Sequence, residues 1–200
     1  MVMTVVTNLR LQGVMSQMLF TYDTELTLRA AMVLVNTDRV EGEQLADQAD
    51  LSAYLDDFGW TGRRDRDDAE LAAVRALRTR LGDIWAVADD EEETVRRVNA
   101  LLSDTKASPW LTRHKEMPEW HLHLASVDDP LAQRMGAEMA MALADLIRGG
   151  ELRRLKICAA PDCEAVLTDL SRNRSRIFCD TGNCGNRQHV AAYRQRRRAD

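Results

Sequence analysis

Apolar residues recur at helical spacing along most of the first 150 residues. The dense apolar run Glu25–Val35 predicts a buried helix, and Asp50 stands where an N-cap would begin a short second helix that Gly59 ends. Asp67 followed by Glu70 resembles a capping box and begins a longer amphipathic helix. Two apolar stripes follow, the first at Leu71, Val74, Leu77, Leu81, Ile84 and Trp85, the second at Val95, Val98, Leu101 and Leu102. These patterns predict a mainly helical body.

An alternating pattern interrupts the helices once. Residues 109–115 and 119–125 alternate apolar and polar side chains on either side of Met117-Pro118, which predicts a β-hairpin that turns at this dipeptide. His121 and His123 share a face of the second strand, but no carboxylate or cysteine has metal-motif spacing to them, so we predict no second metal site. A long helix then runs from Pro130 to Gly149-Gly150. The predicted fold class is mainly α (α+β).

All four cysteines lie in the last quarter of the chain, in the order C-x4-C, fifteen residues, C-x4-C. Two equal pairs of thiols match a tetrahedral structural zinc site. Two disulfides would need an oxidising compartment, and Met1–Phe20 lacks the features of a signal peptide. We therefore predict one structural Zn²⁺ held by Cys158, Cys163, Cys179 and Cys184.

Charge divides the chain near Gly149-Gly150. Residues 1–150 hold 16 Lys and Arg against 26 Asp and Glu, whereas residues 151–200 hold 11 against 6, so an acidic body precedes a basic module. We predict a frayed or disordered segment at residues 1–20, a helical domain at 21–150 and a zinc finger at 151–200. Such a small module usually needs a metal to fold.

The finger has its own predicted elements. Leu155–Cys158 is a short strand, Val166–Thr168 pairs with Arg176–Phe178, and a final helix begins at Asn183 or Cys184, which is the order of a treble-clef finger. Val190 and Tyr193 are expected to turn inward on that helix. No run of residues is long and apolar enough for a membrane span.

Arginines dominate the surface predicted for this finger. Guanidinium groups match phosphate oxygens, so the pattern favours a nucleic-acid contact. A solvated tail, or a tail that docks on the acidic body, would have the same composition. The predicted contacts are Arg172, Arg174, Arg176, Arg187, Arg194, Arg197 and Arg198.

The finger resembles the CGNR zinc-finger family of bacterial proteins. The resemblance rests on Cys158–Cys163, Asp169–Arg176 and Cys184-Gly-Asn-Arg187, and Ile177–Asp180 departs from the family's Arg-Trp-Cys-Ser. The preceding part resembles the ABATE domain, a family associated with stress-induced transcription regulation, through Leu34–Thr37, Asp50–Leu55 and Val74–Leu77. The resemblance implies metal binding, transcription regulation in a bacterial cytoplasm, and phosphate contacts by the arginines.

We therefore expect a cytoplasmic DNA-binding transcription regulator whose helical domain has a sensory role. The alternative is a protein-interaction module whose basic finger binds an acidic partner or a second copy, and a homodimer fits either function. We expect no enzymatic activity, because four thiolates leave no open position on zinc. Asn36 and Thr37 are candidate ligand-binding residues at the end of an apolar helix, although capping of that helix end is the favoured explanation.

Overall fold

The computed structural model describes residues 20–114 and 117–199. The segment expected to be frayed, residues 1–20, lies outside this range apart from Phe20. The first four helices are α1 (Tyr22–Asn36), α2 (Gln48–Asp57), α3 (Asp68–Ala86) and α4 (Glu91–Asp104). A hairpin of β1 (Trp110–His114) and β2 (Met117–His123) follows, and then α5 (Leu131–Arg148). A 3₁₀ turn (Leu152–Arg154), β3 (Leu155–Ile157), β4 (Val166–Thr168) and α6 (Cys184–Ala199) complete the described fold, which confirms the predicted mainly α (α+β) class.

The helices of the body pack around α1 and α5. Helix α1 contacts both α3 and α5, and α4 packs on α5. Their apolar stripes form one core in which Leu28, Leu34, Leu81, Met135 and Met139 are fully buried. The helices α1, α3 and α5 lie where the sequence predicted them: α3 from an apolar stripe at the 3.6-residue helical period, α1 from a dense apolar run and α5 from its flanking proline and glycines.

Two predicted helix starts need revision in detail. Asp47, not Asp50, caps α2, and Asp50 occupies the third helical position, from which it completes a capping box with Asp47. Asp67 caps α3 by accepting the Glu70 amide, as predicted. The Glu70 carboxylate, however, accepts hydrogen bonds from Arg64 and from the backbone amides of Asp65 and Arg66, so it fixes the loop before the helix.

The predicted hairpin is present, but its turn was misplaced. Strands β1 and β2 are antiparallel, with Trp110 opposite His123 and His114 opposite Met117. Met117-Pro118 therefore belongs to β2 and does not form the turn. Proline is tolerated there because a two-stranded sheet consists of edge strands only.

The second hairpin joins the zinc-finger segment to the body. Strand β3 pairs antiparallel with β4, with Leu155 opposite Thr168, so the predicted pairing of β4 with residues 176–178 is wrong. Strand β4 lies against α1 and β3 against α3, and Leu155 and Val166 belong to the main core. One edge of β4 is occupied by β3 and the other faces α1, which leaves no edge for residues 176–178.

Candidate metal centre and basic surface

The four cysteines converge at one end of the β3–β4 hairpin. Cys158 directly follows β3 and donates its amide to the carbonyl of Ala165 at 2.8 Å, while Cys163 lies in the turn between the strands. Cys184 is the first residue of α6. With Cys179 they form the cysteine cluster, whose four Sγ atoms all lie within 4.8 Å of one another. Cys158, Cys179 and Cys184 are buried.

The spacing of the sulfur atoms fits a tetrahedral metal ion. Zn–S bonds of about 2.3 Å place the sulfurs of a tetrahedron about 3.8 Å apart. The Cys179 Sγ lies 3.6 Å from the Sγ of both Cys163 and Cys184, far beyond the roughly 2.05 Å of a disulfide. All four cysteines are free, and a four-thiolate donor set suits a soft or borderline ion such as zinc.

In the absence of metal, the pKa values of three of the thiols are shifted in different directions. Burial raises the pKa of Cys179 to about 12 and also raises the pKa of Cys163. Burial acts in the same direction on Cys184, but hydrogen bonds from Arg187 and from the other three cysteines together outweigh it and lower the pKa of that thiol. Binding of a cation would supply the missing positive charge and deprotonate the remaining thiols. The cluster therefore requires a metal to become fully ionised near neutral pH.

Arg187 lies against the cysteine cluster. Its Nη2 donates to the Cys184 Sγ at 3.1 Å, and its Nη1 pairs with the Asp162 carboxylate, also at 3.1 Å. Asp162 belongs to the first cysteine knuckle, so the guanidinium bridges the two knuckles of the cluster. The sequence analysis assigned Arg187 to phosphate alone and missed this contact. Helical spacing could have shown it, because Cys184 and Arg187 are three residues apart on one helix face.

Gly182 makes the second knuckle tight enough for this arrangement. A Cβ atom at this position would lie 3.0 Å from the Cys184 Sγ and 3.7 Å from the Cys179 Sγ. Any larger residue would push against a sulfur that must stay in place for metal binding. The sequence analysis did not single out Gly182, although a glycine inside a cysteine knuckle is a signal of such close approach.

Comparison with known families agrees with this geometry. The CGNR zinc finger model matches residues 154–197. The ABATE model, which carries the description "putative stress-induced transcription regulator", matches residues 28–150, more than half of the chain. The chain belongs to the ABATE family. It carries a CGNR finger after its ABATE domain, and a search of curated proteins found no match.

Buried polar residues hold the loop of the CGNR finger in place. The fully buried Asp169 carboxylate accepts hydrogen bonds from Lys156 Nζ at 2.7 Å and from the amides of Ser171 and Arg176 at 3.0 and 2.8 Å. Burial raises the pKa of Asp169, but these hydrogen bonds outweigh it and lower the pKa to about 2. Arg154, which is also buried, donates to the carbonyls of Asp169 and Ser171. The loop from Asp169 to Arg176 is therefore held in one conformation by hydrogen bonds.

The arginines predicted to bind phosphate fall into two groups. Arg174 lies 3.5 Å from Glu151, and Arg176 pairs with Asp180, so both have acidic partners within the finger. Others are exposed and form no ion pair within the described part of the chain. This second group, which we call the unpaired arginines, consists of Arg172, Arg194, Arg196 and Arg197. The sequence analysis omitted Arg196 from the contacts, and the side chain of Arg198 lies outside those described.

Helix α6 carries most of these charges into solvent. Its residues from His189 to Arg197 are all exposed, and the 16-residue helix extends about 24 Å. Val190 and Tyr193, expected to turn inward, are 39% and 54% exposed, so that expectation is wrong. The short hairpin beside the cysteine cluster does not reach along the helix, and no other described element packs there.

Asn36 and Thr37 have structural partners. The Asn36 side chain donates to the Val166 carbonyl at 2.9 Å and accepts the Val166 amide at 2.8 Å, across 130 residues of sequence. Thr37 donates to the Leu34 carbonyl at 2.7 Å and accepts from Arg78 at 3.0 Å. Both residues are buried. Asn36 therefore fastens α1 to the CGNR finger, a role that is neither helix capping nor an exposed ligand contact.

Among the described helices, none combines the length and the apolar character that a membrane span requires.

Proposed function

We propose that this protein is a cytoplasmic transcription regulator whose CGNR finger holds one structural Zn²⁺ and contacts the phosphate backbone of DNA. The unpaired arginines carry this proposal, because they stand exposed on one helix and one loop of the finger and have no acidic partner in the described part of the chain. The family matches of both domains support the proposal, since the description of the ABATE family names transcription regulation and the C-terminal family is a zinc finger. A cytoplasmic location follows from the thiols, which stay reduced and available to a metal there.

Local charge favours nucleic acid although the chain is acidic as a whole. The net charge is −5, but Ser171–Arg198 holds eight arginines and a single acidic residue, Asp180. Cations concentrated on one surface attract a polyanion regardless of a distant negative charge, because screening limits electrostatic interactions to about 10 Å at 0.1 M salt. Arginine also matches phosphate as a planar fork.

The metal has a structural role in this proposal. Four thiolates fill a tetrahedral shell, whereas a catalytic zinc keeps one position for water or substrate. We therefore infer that this metal does not catalyse a reaction. The finger between Leu155 and Cys184 has only two three-residue strands, so a metal adds the folding free energy that such a small core lacks.

A salt titration of DNA binding tests the proposal. Arg194, Arg196 and Arg197 are changed together to glutamine, and binding of a labelled random-sequence duplex is followed by fluorescence anisotropy at several salt concentrations. Each lost phosphate contact should reduce the slope of log K against log salt by about 0.9. We expect weaker binding and a slope smaller by about 2 to 3.

The matched control removes the same charge from the ABATE domain. Arg80, Arg96 and Arg148 are exposed but already paired with acidic residues, and their change to glutamine also lowers the net charge by three. This control should leave the slope unchanged. Equal losses of DNA affinity in both triple variants would show that net charge alone causes the effect. An unchanged salt slope in the α6 variant would refute the phosphate contacts.

A protein partner is the second candidate, and exposed apolar residues favour it. Val190 and Tyr193 are three residues apart on α6 and both are exposed, so a partner could cover them together with the arginines. The partner would be an acidic protein or a second copy, since the body of this chain is itself acidic. Analytical ultracentrifugation separates the candidates: salt-sensitive self-association without DNA binding would favour the protein partner.

A further inference from the structure

A cavity of about 550 Å³ lies in the ABATE domain, away from the cysteine cluster. Helices α1 and α5, strand β2 and the segment after α2 surround it, and none of its described lining residues belongs to the CGNR finger. Small-molecule sites typically have volumes of about 300–1,000 Å³. The cavity is therefore large enough for a small organic ligand.

An aromatic wall with an unused donor lines this cavity. Phe58 and Trp60 both contribute to it from the segment after α2. The indole N–H of Trp60 is buried and has no hydrogen-bond partner among the described residues. Buried donors of this kind are rare in folded proteins because an unmet hydrogen bond is costly. An oxygen atom of a ligand would satisfy it.

Carboxylates from two helices face the same space. Asp23 on α1 and Glu138 and Asp145 on α5 all line the cavity. Glu138 is half-buried, and its carboxylate has no hydrogen bond or ion pair with any described residue. Burial raises the pKa of Glu138 to about 7, and the charge of Asp23 adds to this effect against an opposing one from Arg134. Among the described residues, no cation contacts the Glu138 carboxylate directly.

Among the described residues that line the cavity there is a single arginine, Arg134, and its hydrogen bonds go to the backbone. The buried Arg134 donates to the backbone carbonyls of Thr61, Arg63 and Asp129, and it forms no ion pair within the described part of the chain. The cavity also contains His121 and His123, whose Nε2 atoms lie 3.2 Å apart. Arg134 therefore fixes the walls of the site, while Asp145 pairs with Arg148 and the Glu138 carboxylate has no direct partner among the described residues.

We propose that this cavity binds a small organic cation, a protonated amine carried on an aromatic or aliphatic group that also bears an oxygen acceptor. The ammonium group would lie between Glu138 and Asp23, the apolar part against Phe58 and Trp60, and the oxygen within reach of the Trp60 N–H. Aromatic faces and carboxylates both attract such a cation. This proposal does not depend on DNA binding.

The cavity lies on the helix that also holds the finger. Asp23, Thr27 and Ala30 line it from the first half of α1, and Asn36 at the end of the same helix is bonded to β4 of the finger. A ligand in the cavity would therefore contact the element that positions the CGNR finger, which gives the ABATE domain a route for a sensory role.

Calorimetric titration with tyramine and tyrosol tests the proposal. These two probes have the same size and the same phenol, but tyramine carries an ammonium where tyrosol has a neutral hydroxyl. We work near pH 8, above the pKa of Glu138, so that its carboxylate is charged while the amine stays protonated. We expect tyramine to bind and tyrosol to bind at least about tenfold more weakly, since charge-assisted contacts are stronger than neutral ones.

Two variants identify the site. Glu138→Gln keeps the shape of the side chain and removes a poorly solvated charge, so this variant should fold, and a thermal melt checks that it does. Its affinity for tyramine should be at least about tenfold weaker than that of the wild type. Glu92→Gln, on the exposed first turn of α4, removes the same charge elsewhere and should change nothing. Equal binding of the two probes, no binding of either at millimolar concentration, or equal affinity in wild type and Glu138→Gln would each overturn the proposal.

Discussion

The side chain of Asn36 is expected to hold the CGNR finger on the ABATE domain. The reason lies in the pairing of β3 with β4. The Cys158 amide donates to the Ala165 carbonyl, so these two residues form a hydrogen-bonded pair, and hydrogen-bonded and non-hydrogen-bonded pairs alternate along antiparallel strands. The next pair, Ile157 and Val166, is therefore not hydrogen-bonded, and the N–H and C=O of Val166 point away from β3. Asn36 satisfies both groups at 2.8 and 2.9 Å. Its amide thus takes the place of a third strand.

Replacing Asn36 by alanine removes both hydrogen bonds and leaves two buried backbone groups without partners. Each unsatisfied group costs about 1–3 kcal/mol, so Asn36→Ala should lower the free energy of unfolding by about 2–6 kcal/mol. Val166 has no exposed surface, so water should compensate for little of this loss. Urea denaturation followed by circular dichroism measures the change.

Asn99 provides the matched control, because it is exposed on α4 and its side chain makes no hydrogen bond in the described chain. Asn99→Ala should be neutral or slightly stabilising, since alanine has the higher helix propensity. If Asn36→Ala costs less than about 1 kcal/mol, or no more than the control, the reasoning on the buried amide is refuted.

Three further predictions concern the finger itself. The pKa of Asp169 in the folded protein is about 2, below the ordinary value of 3.8. The stability that the charged carboxylate contributes is therefore present above about pH 4 and is lost as the pH falls toward 2. The free energy of unfolding, measured during an acid titration, should fall by about 2 kcal/mol in the wild type and should lack this loss in Asp169→Asn. Arg187→Gln should weaken zinc affinity about tenfold or more in competition with a chromophoric chelator, whereas Arg194→Gln should not, because only the first contacts a cysteine sulfur; equal affinities would contradict the bridging role. Gly182→Ala should also weaken zinc binding, whereas Gly185→Ala should bind zinc normally, because its added carbon meets its nearest neighbour at an ordinary 3.7 Å. Equal zinc affinities of the two variants in the same competition assay would contradict this prediction.

Local patterns predicted the secondary structure well where the signal was local. The apolar stripe of α3 and the turn residues around α5 are determined by nearby residues, so their helices follow from sequence alone. Asp47 and Asp50 show the limit: both are acceptable N-cap residues, and only the backbone conformation decides which of them caps α2. The turn at Met117-Pro118 failed for a similar reason, since an edge strand also accepts proline.

Long-range contacts were beyond the sequence. The cysteine spacing predicted the metal centre, because four thiols in two knuckles are a strong and self-contained pattern. The bond between Asn36 and Val166 joins residues 130 positions apart, and no periodicity in the sequence indicates such a contact. The choice of β3 as the partner of β4 likewise depends on how the hairpin packs against α1 and α3. Arg187 was assigned by its charge, whereas its position one helical turn after Cys184 places it on the sulfur.

Metal stoichiometry tests the central claim most directly, because the finger and its arginine helix both depend on the cysteine cluster. Mass spectrometry of protein purified without chelator, under native and acid-denaturing conditions, counts the ions and the titratable thiols. The account predicts one zinc ion per chain that is lost on denaturation, with four free thiols remaining. Absence of metal in the native protein, or a mass that shows two disulfides, would contradict it.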